Sequence, residues 1–152
     1  MENKYIWLFG ENVGKTANNN SFYFWKHVVE TDDEIEKYFV LKKNDTNKKI
    51  YEKLTDKAKK HIVWKNSIKH YKIYKKADML FVSLSYKDVQ PTKGGGPLNA
   101  PVIYLQHGTL GIKKVEYNGK SYNNHIFRFY IYNEKIIDTY RVENNFKQYQ
   151  LY

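Results

Sequence analysis

Near its start the chain reads 5-YIWLFGEN-12, five apolar or aromatic residues followed by a glycine, an acid and an amide. An unbroken apolar run of this length predicts a strand covered on both faces, as in a parallel sheet, and the glycine marks its end. The pattern returns in 38-YFVL-41, 62-IVW-64, 79-MLFV-82 and 102-VIYL-105, and 127-FRFYIY-132 supplies a sixth strand. Helical signals lie between these runs. Asn18, Asn19, Asn20 and Ser21 offer N-caps to a helix in which Phe22, Trp25 and Val29 share a face. Residues 48–60 predict a second helix, with Ile50, Leu54 and Ala58 on one side and Lys49, Lys53, Lys57 and Lys60 on another. Ser67 caps a third that carries Ile68, Tyr71 and Tyr74 inward, and residues 134–143 form a last one. Strands alternating with helices imply right-handed crossovers and an α/β, Rossmann-like parallel sheet flanked by helices. The 152 residues suit one domain with a core of its own.

Composition narrows the classes. A hydrophobic fraction of 41% with 17% aromatic residues predicts a packed interior. The absence of cysteine excludes disulfides and cysteine-ligated zinc and suits a reducing cytoplasm. His27, His61, His70 and His125 form no metal-ligand spacing, so neither a metal nor a cofactor is expected. No apolar run approaches the roughly 20 residues that span a bilayer, and the first residues lack the apolar core of a signal peptide. The net charge of +10 is concentrated. Residues 42–76 hold thirteen lysines against Asp45, Glu52 and Asp56, and the rest of the chain is neutral. Such a block is either a solubilising face or a surface for an anionic membrane or polyanion.

Ligands of open parallel sheets sit beyond the carboxyl ends of the strands. Three segments fall there: Gly10-Glu11-Asn12, the loop from Ser83 to the triple glycine at 94–96, and Gln106-His107-Gly108-Thr109. A neutral imidazole at a strand end is held rigidly and suits a general base for a hydroxyl. Gly108 permits close backbone approach, and Lys113 and Lys114 add charge for a phosphate. Each feature also has a plain structural role: a satisfied histidine, a flexible glycine loop, and turn or helix-entry positions for Glu11 and Asn12. There is no Gly-x-Gly-x-x-Gly or Walker pattern.

The segments 7-WLFGE-11 and 17-ANNNSFYF-24 resemble the opening of the CDP-glycerol glycerophosphotransferases, the primases and polymerases of teichoic acid. Residues 51–60 with 63-VWKNS-67, then 77-ADMLFVS-83, are similar to that family's next elements, and 106-QHGT-109 with Lys113 and Lys114 is similar to its His-Gly signature. Several members read Pro-Leu-Lys directly after His-Gly-Thr, where this chain has Leu110-Gly111-Ile112. The resemblance implies a GT-B architecture of two facing Rossmann-like domains. Residues 1–152 would then be the N-terminal, acceptor-side domain, and the C-terminal nucleotide-binding domain would be absent from this chain. It implies transfer of glycerol phosphate from CDP-glycerol to a hydroxyl of a lipid-linked, teichoic-acid-like polymer, with release of CMP. His107 would be the base, with Gly108, Thr109, Lys113, Lys114, Glu11 and Asn20 as substrate-binding residues, Glu11 and Asn20 at the crevice mouth. Peripheral attachment to the inner face of the bacterial cell membrane would place Lys49, Lys53, Lys57 and Lys60 toward anionic lipid. The alternative is a non-catalytic membrane- or polyanion-binding α/β module. Nucleic-acid binding is disfavoured, because no recognition motif is present and the basic block lacks arginine.

Overall fold

The structure, a computed structural model, describes residues 4–93, 98–106 and 126–129. Six parallel strands form its centre: β1 (Tyr5–Gly10), β2 (Ile35–Leu41), β3 (Ile62–Trp64), β4 (Met79–Val82), β5 (Val102–Tyr104) and β6 (Ile126–Phe129). Their order across the sheet is β3-β2-β1-β4-β5-β6. The chain therefore runs outward from β1 in one direction, returns, and continues in the other. The reversal falls between β1 and β4, and the crevice at their carboxyl ends is the topological switch point.

Helix α1 (Asn20–Val28) joins β1 to β2 and α4 (Ile68–Lys76) joins β3 to β4. These connections run in opposite directions, so right-handed crossovers put the two helices on opposite faces. Two core clusters record this. Phe9, Phe39, Leu41, Ile62 and Phe81 pack with Phe22, Trp25 and Val29 on the α1 side. Leu8, Val40, Val63, Leu80 and Tyr104 pack with Ile73, Tyr74 and Val89 on the α4 side. Neighbours along a strand thus enter different cores, which is why the runs are apolar throughout. Phe9 and Phe81 stack at 4.4 Å, and Trp25 donates its indole N–H to the Lys37 carbonyl at 2.9 Å.

Two expected helices differ in detail. Residues 48–60 are not one helix but two: α2 (Asp45–Glu52) and α3 (Asp56–Lys60). Asn44 accepts from the Asn47 N–H and starts α2 early, while Thr55 accepts from the Ala58 N–H and starts α3 anew. Between them Leu54 turns into the α1-side core at 8% exposure. Two strong caps and a buried leucine outweigh the continuous helical periodicity. In α4 the inward residues are His70, Ile73 and Tyr74, whereas Ile68 is 76% exposed. The Ser67 hydroxyl accepts from the His70 N–H, and the His70 ring is held between the Asn66 N–H and the Val89 carbonyl. That anchorage sets the helix's rotation. The expected helix at 134–143 lies outside the described residues. Among those described, no helix is long and apolar enough to cross a membrane.

Candidate functional site

At the switch point the backbone is crowded and strained. A Cβ on Gly10 would stand 2.7 Å from the Asp88 carbonyl oxygen, so only glycine admits the β4 loop over the end of β1. Asn12, Val13 and Gly14 follow with φ of 45°, 55° and 79°. A β-branched residue in that region is an outlier. Asp88 helps hold it there, accepting the Val13 N–H at 2.7 Å. The other Asp88 oxygen accepts from the Ser83, Leu84 and Ser85 N–H groups at 3.2, 2.8 and 3.2 Å. One buried carboxylate therefore binds the loops after β1 and β4 together.

Glu11 is the second buried carboxylate. One of its oxygens accepts from the Asn18 and Asn19 N–H groups, and the other from Phe22 at 3.1 Å. Asn18 and Asn19 lead into α1 and Phe22 lies in its first turn, where Asn19 supplies no side-chain cap. Burial pushes the Glu11 carboxyl above its ordinary range, the three N–H donors oppose this, and the nearby Asp88 charge adds to it. The expectation that Glu11 lines the crevice mouth is corrected: its side chain is fully buried. In dinucleotide-binding sheets this helix N-terminus receives the pyrophosphate. Here the chain's own carboxylate fills it.

Asn20 opens α1. It is exposed, and its side-chain amide donates to the Leu105 carbonyl at 3.0 Å. That bond fastens the start of α1 to the end of β5, two residues before His107. Gln106 then takes φ of 60°, a sharp change of direction directly ahead of the histidine. His107, Gly108, Thr109, Lys113 and Lys114 lie outside the described residues. Beside this strand end, Asn20, Phe24, Met79, Phe81, Ile103 and Leu105 line an apolar groove of about 500 Å³ on the α1 face.

The lysine stripe is interrupted. Lys49 belongs to α2, Lys53 ends it, and Lys57 and Lys60 belong to α3. Lys57 turns aside to pair with Asp32 at 2.6 Å and to donate to the Glu30 carbonyl at 2.9 Å. Lys49, Lys53 and Lys60 are exposed. Asp88 was missed by sequence reasoning, although Ser85 and Asp88 are spaced as a capping box, and the structure contains that box. Lys65 was also missed. Its ammonium reaches from the end of β3 to the Lys87 and Asp88 carbonyls at 2.6 and 3.3 Å. Among the described residues no cluster of His, Asp or Glu could hold a metal ion.

The fold and this crevice define a Rossmann-like α/β domain. No protein-family profile matches the chain, and no curated protein matches it with significant similarity.

Proposed function

We propose that this chain is the acceptor-side, N-terminal domain of a CDP-glycerol glycerophosphotransferase of GT-B architecture. The observation that carries the proposal is the Glu11 carboxylate at the start of α1. A domain that fills its own phosphate position at the switch point is poorly suited to grip a nucleotide, and well suited to present an acceptor to one held by a facing domain. The other support is the resemblance of 7-WLFGE-11, 17-ANNNSFYF-24 and 106-QHGT-109 to that family. In the reaction an acceptor hydroxyl attacks the glycerol-bearing phosphorus of CDP-glycerol. The new P–O bond forms as the bond to the CMP oxygen breaks, and CMP leaves with the electron pair. His107 takes the hydroxyl proton, Gly108 and Thr109 shape the site, and Lys113 or Lys114 steers the phosphate. Asn20 fixes the end of the strand that leads to them.

Calorimetry tests the assignment. The 152-residue chain should show no micromolar binding of CDP-glycerol and release no CMP, because transfer requires both substrates oriented across a closed cleft. Micromolar binding by this chain alone would place the nucleotide in the wrong half.

The lysine-rich α2–α3 surface favours a second role, peripheral contact with an anionic leaflet on the cytoplasmic side. Lys49, Lys53 and Lys60 remain exposed to provide it. At about 1 kcal/mol for each lysine near an anionic surface, replacing all three by glutamine should weaken binding to phosphatidylserine vesicles about a hundredfold. Salt should weaken the parent likewise, as the Debye length falls from about 10 Å at 0.1 M to about 3 Å at 1 M. Equal sedimentation of parent and variant with these vesicles would reduce the surface to a solubilising one.

A further inference from the structure

We propose that Lys42 and Lys65 form an anion subsite at the switch point, built to take a phosphoryl group. The two lysines directly follow adjacent strands, β2 and β3. Both lean over Gly14: a Cβ there would meet the Lys65 Cδ at 3.3 Å and the Lys42 Cγ at 3.6 Å. Lys65 then crosses the end of the sheet to the Lys87 and Asp88 carbonyls, at 2.6 and 3.3 Å. Two of its three N–H donors are thereby fixed in direction and one remains.

The charge around this corner is unbalanced. Among the described residues neither Lys42 nor Lys65 has a carboxylate within ion-pair distance. Asp88 is the acid that acts on Lys65, but its two oxygens already accept four backbone N–H groups. Burial, and then the Lys42 charge, lower the Lys65 ammonium to about 8 against the opposing pull of Asp88. A half-buried cation beside a second cation carries an uncompensated cost, which a bound anion relieves.

The corner is also held stiffly. The Gly14 carbonyl accepts from the Lys42 N–H at 2.8 Å and from the Asn47 side chain at 3.0 Å, and the Lys65 N–H donates to the Leu41 carbonyl at 2.7 Å. Asn44 donates to the Lys15 carbonyl at 3.0 Å, closing the loop after β1 onto α2. The Glu11 carboxylate blocks the helix N-terminus that a nucleotide phosphate would use. The cation pair therefore offers an anion position of a different kind, made of side-chain ammonium groups and not of helix amides. It deepens the acceptor-side proposal and rests on it only in naming the natural ligand, a phosphate of the acceptor chain lying across the carboxyl edge.

The test uses inorganic phosphate and the whole chain, with lysine Cε signals followed by NMR at constant ionic strength. Phosphate should shift the Lys42 and Lys65 signals saturably, with chloride producing no such shift. It should also raise the Lys65 titration midpoint above its phosphate-free value. Lys42→Gln and Lys65→Gln should each weaken phosphate binding about tenfold, the loss of one charge-assisted hydrogen bond. Lys72→Gln, at an exposed position of α4, should leave binding unchanged. Lys42→Gln leaves the carbonyl contacts of Lys65 intact, so it remains decisive if Lys65→Gln unfolds the loop. Uniform, unsaturable shifts across all lysines would overturn the subsite, as would undiminished binding by the Lys42→Gln variant. No donor nucleotide enters the experiment, so a failure of the transferase proposal and a failure of the subsite are read separately.

Discussion

Replacing His107 by alanine, in a protein that carries this domain and is active in glycerophosphate transfer, should lower turnover by about 10²–10⁴-fold, the range a positioned general base contributes. The effect should fall on kcat, because the proton leaves the acceptor hydroxyl in the transition state and not on binding. The surroundings support a specific control. Asn20 holds the Leu105 carbonyl, so Asn20→Ala should loosen the strand end without removing the base. Its loss should be smaller, and should retain the pH profile of the parent, whereas His107→Ala should flatten the limb that reports the base. The measurement is CMP release against pH for parent, Asn20→Ala and His107→Ala. Near-normal turnover by the purified His107 variant would remove the residue from its role.

Alanine in place of Asp88 should cost about 3–5 kcal/mol of folding stability, and Glu11→Ala nearly as much. Each substitution removes an acceptor shared by several backbone donors, four for Asp88 and three for Glu11, of which Phe22 keeps a second acceptor in the Asn19 carbonyl. The cost is about 1–3 kcal/mol for a fully buried donor and less where water enters. Asp88→Ala should cost more, because its carboxylate serves one more N–H donor and ties the loops after β1 and β4 together. Glu11→Gln is a sharper probe. Its carbonyl oxygen can still accept from Asn18 and Asn19, but its amide would face the Phe22 N–H donor to donor. A loss intermediate between parent and alanine is expected. Urea unfolding of the 152-residue chain measures all three. A cost below about 1 kcal/mol for Asp88→Ala would show that the loops after β1 and β4 hold each other by other means.

The strands were legible because both faces of this sheet are covered. Leu8 and Phe9 enter different cores, so β1 has to be apolar at successive positions, and the same holds at Leu80-Phe81 in β4. The cap at Ser67 was legible because capping chemistry is local in sequence, whereas α1 takes no side-chain cap from Asn19 and its start is served by Glu11. From these signals follow the α/β class, the parallel sheet and the carboxyl edge as the place to look for a site.

What the sequence could not supply depended on residues distant along the chain. Glu11 looked like a crevice residue, and only folding brings it under the Phe22 N–H, 11 residues on. Lys57 looked like one lysine of a stripe until the loop after α1 placed Asp32 beside it, 25 residues away. Leu54 ended a helix that periodicity would have continued, because the α1-side core had room for it there. Lys42 and Lys65 were two lysines among thirteen in a basic block; adjacent strand ends and the Asp88 carbonyl make them a pair. Local pattern specifies which segments are strands and helices, since propensity and periodicity act within a few residues. Which charges are buried, paired or left facing one another is set by long-range packing, and no short stretch of this chain encodes it alone.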